Sequence, residues 1–381
     1  MRQSILAILF SLFAFSATPA LAQDESYEVP AITTPVYLRG TVTQVLSQQT
    51  IPGDPPMYTQ KIEVVLATGE KVEISVGTEF TPLRFSQLLK KDTRLIVAKE
   101  VTSEGTFYSA SDVYRLPIVV IVVLIFVVAV ILIARWQGLF AVIGMAMSLV
   151  VLLQFTVPKI LTGSNPFSIA LISCVVISIL TLYVAHGWSV KTHIALGSIL
   201  SILGVIAVFS YMAVKAAHLV GLGSEEAFFL QYGETGVIDL QGLLLGGILL
   251  GALGVLDDIA VSQAAIVFQL AEANKKLGFR QLFIRAMNIG RDHIASLVNT
   301  LFLAYVGANT ALFILFYINE QTPFWVALNS EQIVEEVIRT MVGSLGLVLA
   351  VPLTSAIAAA VVVKYRGKIG SELHNQDAHA H

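Results

Sequence analysis

Asp257 and Asp258 stand side by side in an apolar run that reads Gly246-Gly247-Ile248-Leu249-Leu250-Gly251-Ala252-Leu253-Gly254-Val255-Leu256-Asp257-Asp258-Ile259-Ala260-Val261-Ser262. A carboxylate held at membrane depth costs several kcal/mol, so its presence there points to a task. The chemistry open to it is taking up and releasing a proton or small cation. At about 100° per residue, Gly247, Gly251, Gly254, Asp258, Ser262 and Ala265 share one stripe. Small residues in such a stripe let a neighbouring helix come close. Asp258 is therefore expected inside a helix–helix contact, with Asp257 turned one step round towards Gly246. Two plainer roles stay open for the pair: a structural polar contact, or snorkelling to the headgroups, since the apolar stretch 240–270 is longer than one crossing.

The following apolar run offers a partner face, because Asp292, Ser296, Asn299, Gly307 and Thr310 align by the same arithmetic. Its hydroxyls and amide could hydrogen-bond Asp258 or hold a water chain, and could equally be interhelical glue. Arg339, at the start of the last run, is expected to pair with Asp239 at the outer surface. Enzyme chemistry finds little support. An intramembrane aspartyl protease needs an Asp on each of two facing helices, and a DDxxD metal site fails because Ile259, Ala260 and Val261 follow the pair. His186 and His193 flank a short loop with no carboxylate nearby in sequence and read as interfacial residues. The single cysteine, Cys174, lies in an apolar run, which excludes a disulfide framework, a CxxC motif and a thiolate zinc cluster. No metal, cofactor or catalytic residue is expected.

The elements that must position these residues follow from composition. Of 381 residues, 56% are hydrophobic and 13% charged, against roughly 25% charged in a soluble domain. That much apolar side chain belongs in a lipid bilayer. A net charge of -3 gives no reason to expect nucleic acid as a partner. Arg2, the apolar run 5–15 and Ala20-Leu21-Ala22 have the form of a signal peptide over residues 1–22. Residues 23–116 then read as an extracytoplasmic β domain, with alternating stretches at 37–45, 61–66, 71–76, 94–100 and 107–114. Turns are expected at Thr68-Gly69 and Ser103-Glu104-Gly105, and a Pro-rich loop at 51–57. Such short strands suggest an OB-like barrel or a sandwich.

From 117 to 363 the chain reads as a transmembrane domain. Apolar runs near 117–134, 139–157, 167–186, 194–214, 240–262, 294–318 and 338–363 are each long enough to cross a ~30 Å core, giving about seven spans. The expected inner loops carry Arg135, Lys191, Lys275, Lys276, Arg280, Arg285, Arg291, Lys364, Arg366 and Lys368. The outer ones offer mainly Lys159 and Lys215 and are acidic elsewhere: Glu225, Glu226, Glu234, Glu320, Glu331, Glu335 and Glu336. By the positive-inside rule the C-terminal tail, 364–381, with His374, His379 and His381, is cytoplasmic and the chain lies in the inner cell membrane. Phe279, Leu282, Phe283, Ala286 and Met287 recur at helical spacing, so a cytoplasmic amphipathic helix near 266–291 is expected to lie on the inner membrane surface.

Several motifs resemble one family. Tyr114-Arg115-Leu116-Pro117, Gly251-Ala252-Leu253-Gly254 leading to Asp258, Met287-Asn288-Ile289-Gly290-Arg291-Asp292, Asn299-Thr300 with Ala304-Tyr305, and Val342-Gly343-Ser344 leading to Ala350-Val351-Pro352 are similar to those of the YibE/F family of bacterial multi-spanning membrane proteins. The resemblance implies a single Asp at the Asp258 position, so Asp257 looks like a local addition. The last three spans also resemble the membrane half of SecD/SecF and the RND transporters, in which the equivalent Asp serves proton coupling. The chain departs from them in having no large domain between spans, no duplication and no intramembrane Lys. A homodimer of this chain would supply the two halves. The expected function is thus an ion- or proton-responsive transporter or energy transducer. The alternative is a non-catalytic membrane scaffold or receptor whose β domain binds an extracytoplasmic partner.

Overall fold

A computed structural model describes residues 35–102, 105–233, 238–318 and 323–365. The expected signal peptide, Ser103-Glu104, Glu234, Glu320 and the tail from 366, with its histidines, lie outside these described residues. Contacts divide the chain into two units, residues 1–123 and 124–381.

Period-two alternation builds the first unit. In β2 (Met57–Leu66) Gln60, Ile62, Val64 and Leu66 are buried while Lys61 faces out, and in β3 (Lys71–Val76) Val72 and Ile74 are buried between Lys71 and Glu73. They join β1 (Val36–Ile51), β4 (Arg94–Thr102) and β5 (Gly105–Val113) in one antiparallel sheet of order β3-β2-β1-β4-β5. β1 is long enough to serve both halves. Its first residues pair with β4 and its later ones with β2, and irregularities at Val42/Gln44 and Val45/Ser47 bend it between them. Gly40 sits at that junction, where a Cβ would lie 2.5 Å from Val64. β3 and β5 approach across the open side, where the Tyr108 hydroxyl donates to Glu70 at 3.0 Å. The result is an OB-like half-barrel around Val42, Ile62, Val64, Ile74, Leu95 and Val97.

The second unit is helical. Among the described residues, five helical stretches are long and apolar enough to cross a membrane: Leu116–Leu161 (α1), Pro166–His186 (α2), Val190–Ala216 (α3), Leu240–Ala273 (α5) and Glu331–Lys364 (α9). Phe279–Ala308 (α6) and Thr310–Ile318 (α7) are together long and apolar enough to cross, and are bent by 61° at Asn309. Short helices Glu225–Tyr232 (α4) and Phe324–Leu328 (α8) lie in the connections. Arg135, at φ 51 and ψ −130, breaks α1 into two helices where the loop between the first two expected spans was placed, so 116–134 and the stretch after Arg135 correspond to those two runs. Starts are fixed by local chemistry: Asn165, Ser189, Ser224 and Asp239 each accept a backbone N–H from the first turn of α2, α3, α4 and α5.

α5 is the centre of the unit, packing against α2, α3, α6 and α9. Beyond the carboxylates it continues into a cluster of Ala264, Val267, Phe268 and Ala271 with Ile194, Leu282, Ala286, Ala358 and Val362. This corrects the reading of 266–291. Residues up to Ala273 are the end of α5, and Phe279 onward is the start of α6, continuous with the sixth span. Leu282, Ala286 and Gly290 pack on protein rather than lipid, with Arg280, Arg285 and Arg291 facing out.

Candidate functional site

The carboxylate pair lies halfway along α5, Asp257 about 26 Å from the helix start at 1.5 Å per residue. Successive side chains on a helix diverge by about 100°, and here that separates two environments. Asp257 faces α2, where the Thr181 hydroxyl donates to its Oδ2 at 3.1 Å. Its Oδ1 is shut off from solvent and has no hydrogen-bond partner among the described residues. Cys174 lies within electrostatic reach of it. Asp258 is exposed on the outer side of the helix and makes no hydrogen bond among the described residues. His186, at the end of α2, is within electrostatic reach of Asp258. No Lys or Arg forms an ion pair with either Asp among the described residues.

Among the described residues the small-residue stripe packs closely on no neighbour. Gly247, Gly251, Gly254 and Asp258 are exposed together; a Cβ at Gly247 or Gly254 would meet nothing within 4 Å, and one at Gly251 only the Tyr305 hydroxyl at 3.6 Å. The glycines that carry close packing are Gly242 and Gly246, against Pro166 and Ala170 of α2. Ser262 is half-buried. On α6, Asp292, Ser296, Asn299 and Gly307 are exposed, as is Thr310 at the start of α7. Ser296 and Asn299 form no hydrogen bond to Asp258 among the described residues, and Thr310 bonds the carbonyls of Val306 and Gly307 at 3.0 Å.

The outer charge pair is also different from the expected one. Asp239 caps α5 through Gly242 N–H at 2.9 Å and accepts from Asn165, while Arg339 pairs with Glu336 at 2.7 Å, one turn away on its own helix. The acids at the start of α9 have partners that the sequence did not suggest. Glu331 Oε1 accepts the amides of Val220, Gly221 and Leu222 at 2.7, 3.0 and 3.3 Å, and Glu335 Oε1 accepts that of Gly223 at 3.0 Å. Gly221, at φ +86, supplies the backbone turn this needs. An apolar cleft between α6 and α9, lined by Phe302, Tyr305, Phe313, Val337 and Met341, lies nearer this end than the carboxylates.

Thr181, the partner of Asp257, and Gln263 were not among the candidates the sequence offered. Gln263, 2% exposed, donates to the carbonyl of Ala286 on α6 at 2.9 Å and to the hydroxyl of Ser355 on α9 at 2.8 Å. Its side chain ties three helices together just beyond the carboxylates. An amide inside an apolar run was the signal, since such groups need a partner in a lipid-facing protein. Among the described residues no three His, Cys, Asp or Glu side chains are grouped to hold a metal ion.

Apolar helices of crossing length, arranged around a central helix with an acidic pair at its midpoint, define a polytopic membrane protein that carries an N-terminal β half-barrel. The chain belongs to the YibE/F-like protein family, which it matches over residues 122–364. No curated protein and no solved structure matches it, and the likeness of its last spans to SecD/SecF rests on the residue pattern alone.

Proposed function

We propose that the protein is a membrane transporter or energy transducer in which the Asp257–Asp258 pair is the ion-responsive group. One observation carries the reading: Asp257 Oδ1 is closed off from solvent without a donor among the described residues. A carboxylate oxygen in that position has capacity for one more donor or for a small cation, the proton included. Asp258, exposed beside it, offers the route by which such an ion would arrive. The expected orientation places Lys275, Lys276, Arg280 and Lys364 at the cytoplasmic ends of α5, α6 and α9, and Glu225, Glu226, Glu331 and Glu335 outside. The exposed Gly247-Gly251-Gly254 face is where a second copy would pack in a homodimer.

Difference infrared spectroscopy on the protein in nanodiscs tests the site directly. A protonated-carboxyl band that responds to pH near neutrality and disappears in Asp257→Asn or Asp258→Asn supports the reading. If no such band separates wild type from the two variants, the acids only pack or snorkel, and the scaffold reading takes its place.

A further inference from the structure

The connection between β3 and β4, residues 77–93, is built to hold two phenylalanines in the open. Phe80 is 95% exposed and Phe85 75%. The loop itself is well anchored. Tyr58 and Leu83 exchange backbone hydrogen bonds at 2.8 and 2.7 Å. The buried Gln60 side chain accepts from Leu89 N–H at 2.8 Å and donates to the Leu89 carbonyl at 3.3 Å. Exposure of the two rings is therefore a property of an ordered loop, and large exposed apolar groups on such a loop mark an interaction surface.

Strand register locates that surface. β5 pairs with β4 so that Val113 lies opposite Leu95, at the end where β4 begins. Tyr114 N–H then donates to the Arg94 carbonyl at 2.8 Å. The foot of the phenylalanine loop thus lies beside the point where the chain leaves the barrel. Only Tyr114 and Arg115 separate β5 from the first residue of α1, a reach of about 7 Å. The stretch 116–134 measures about 28 Å as a helix, so all of it is needed to cross a ~30 Å hydrocarbon core. Leu116 is consequently at the hydrocarbon boundary, and this end of the barrel is at the headgroups. Arg84, Lys90 and Lys91 are exposed on the same loop, and Arg94 is exposed beside it at the start of β4, outnumbering Glu79 and Asp92, a balance that suits anionic lipid.

We infer that the 77–93 loop is a membrane-interface anchor: Phe80 and Phe85 insert among the headgroups of the bilayer that α1 enters, with the basic residues on lipid phosphates. The surface would hold the half-barrel against the membrane and is independent of the ion-responsive role proposed above.

The test uses the full chain in nanodiscs containing anionic lipid, spin-labelled at Ser86→Cys, which leaves both phenylalanines in place. Thr106→Cys, at the opposite end of the barrel, is the reference. Cys174 is buried, and the unsubstituted chain is the labelling blank. The label at 86 is expected to be several-fold less accessible to a water-soluble nickel chelate than that at 106, and more accessible to oxygen. Adding Phe80→Asp and Phe85→Asp should bring it to the accessibility of the label at 106. A label at 86 as open to the chelate as that at 106 overturns the proposal, because the loop then faces water or awaits a protein partner. So does a shielded label that the double substitution leaves unchanged.

Discussion

The Thr181 hydroxyl on α2 lies 3.1 Å from Asp257 Oδ2 on α5 and 2.9 Å from the Ile177 carbonyl of its own helix, so its single proton is shared between two acceptors. Thr181 lies within two turns of the end of α2 at His186, so the pair meets the end of that helix although it is central in the longer α5.

A double-mutant cycle measures that contact. Thr181→Val and Asp257→Asn, singly and together, are expected to give a coupling of about 0.6 kcal/mol, at most about 1.7, as interhelical hydrogen bonds do. Reversible unfolding in bicelles supplies the numbers. Zero coupling would show that Asp257 points elsewhere.

Glycine substitutions separate the face that packs from the face that is free. At Gly290 a Cβ would run into Val351 and come 3.1 Å from the Gln263 amide. Gly290→Ala should therefore cost about 1–3 kcal/mol through overpacking, and Val351→Ala should recover part of it. Gly254→Ala meets open space and gains helix propensity of about 1 kcal/mol, so monomer stability should hold or rise. Melting both variants in detergent decides it; equal losses would contradict the packing described here.

This contrast also shows what the sequence could and could not reveal. Strands were legible because Ile62, Val64 and Leu66 alternate with residues facing water, and span positions because long apolar runs need no context. The buried face of α5 was not legible. Leucine, isoleucine and glycine occur on all its sides, so periodicity cannot tell protein from lipid. The stripe through Gly247 and Asp258 is a real geometric feature, but among the described residues it is an exposed face with only Tyr305 beside Gly251. Arg339 was matched to Asp239 by elimination, whereas Glu336 was closer along its own helix, and the backbone partners of Glu331 leave no mark in side-chain pattern at all.

Those backbone partners make a local prediction. Glu331→Ala removes the acceptor shared by the amides of Val220, Gly221 and Leu222. Hydrogen bonds to a charged group contribute about 1.5–3 kcal/mol, which corresponds to roughly ten- to a hundredfold faster amide exchange at these positions. Exchange mass spectrometry on the peptide covering them reads the change, while peptides from β1 and β2 should stay as in wild type. Unchanged protection at 220–222 would mean the loop is held by its own backbone.

The half-barrel should weaken in acid through Glu63. The Thr43 hydroxyl, 2.6 Å from its carboxylate, and then the charge of Lys71 hold the Glu63 carboxyl below its ordinary value of 4.5. A carboxyl depressed in the folded state favours folding wherever the unfolded chain would bind more protons. The contribution is therefore complete above about pH 4.5 and fades as pH falls through the lower folded value. Asp112, held down by Arg115 and by the Val113 amide, acts with the same sign. Amide exchange across β1 and β2, followed from about pH 6 down to pH 3, should show protection falling in wild type. Thr43→Val lets Glu63 return towards its ordinary value, and Glu63→Gln removes the titration. Both variants should flatten the acid limb, and an acid limb as steep in Glu63→Gln as in wild type would assign the effect to other carboxylates.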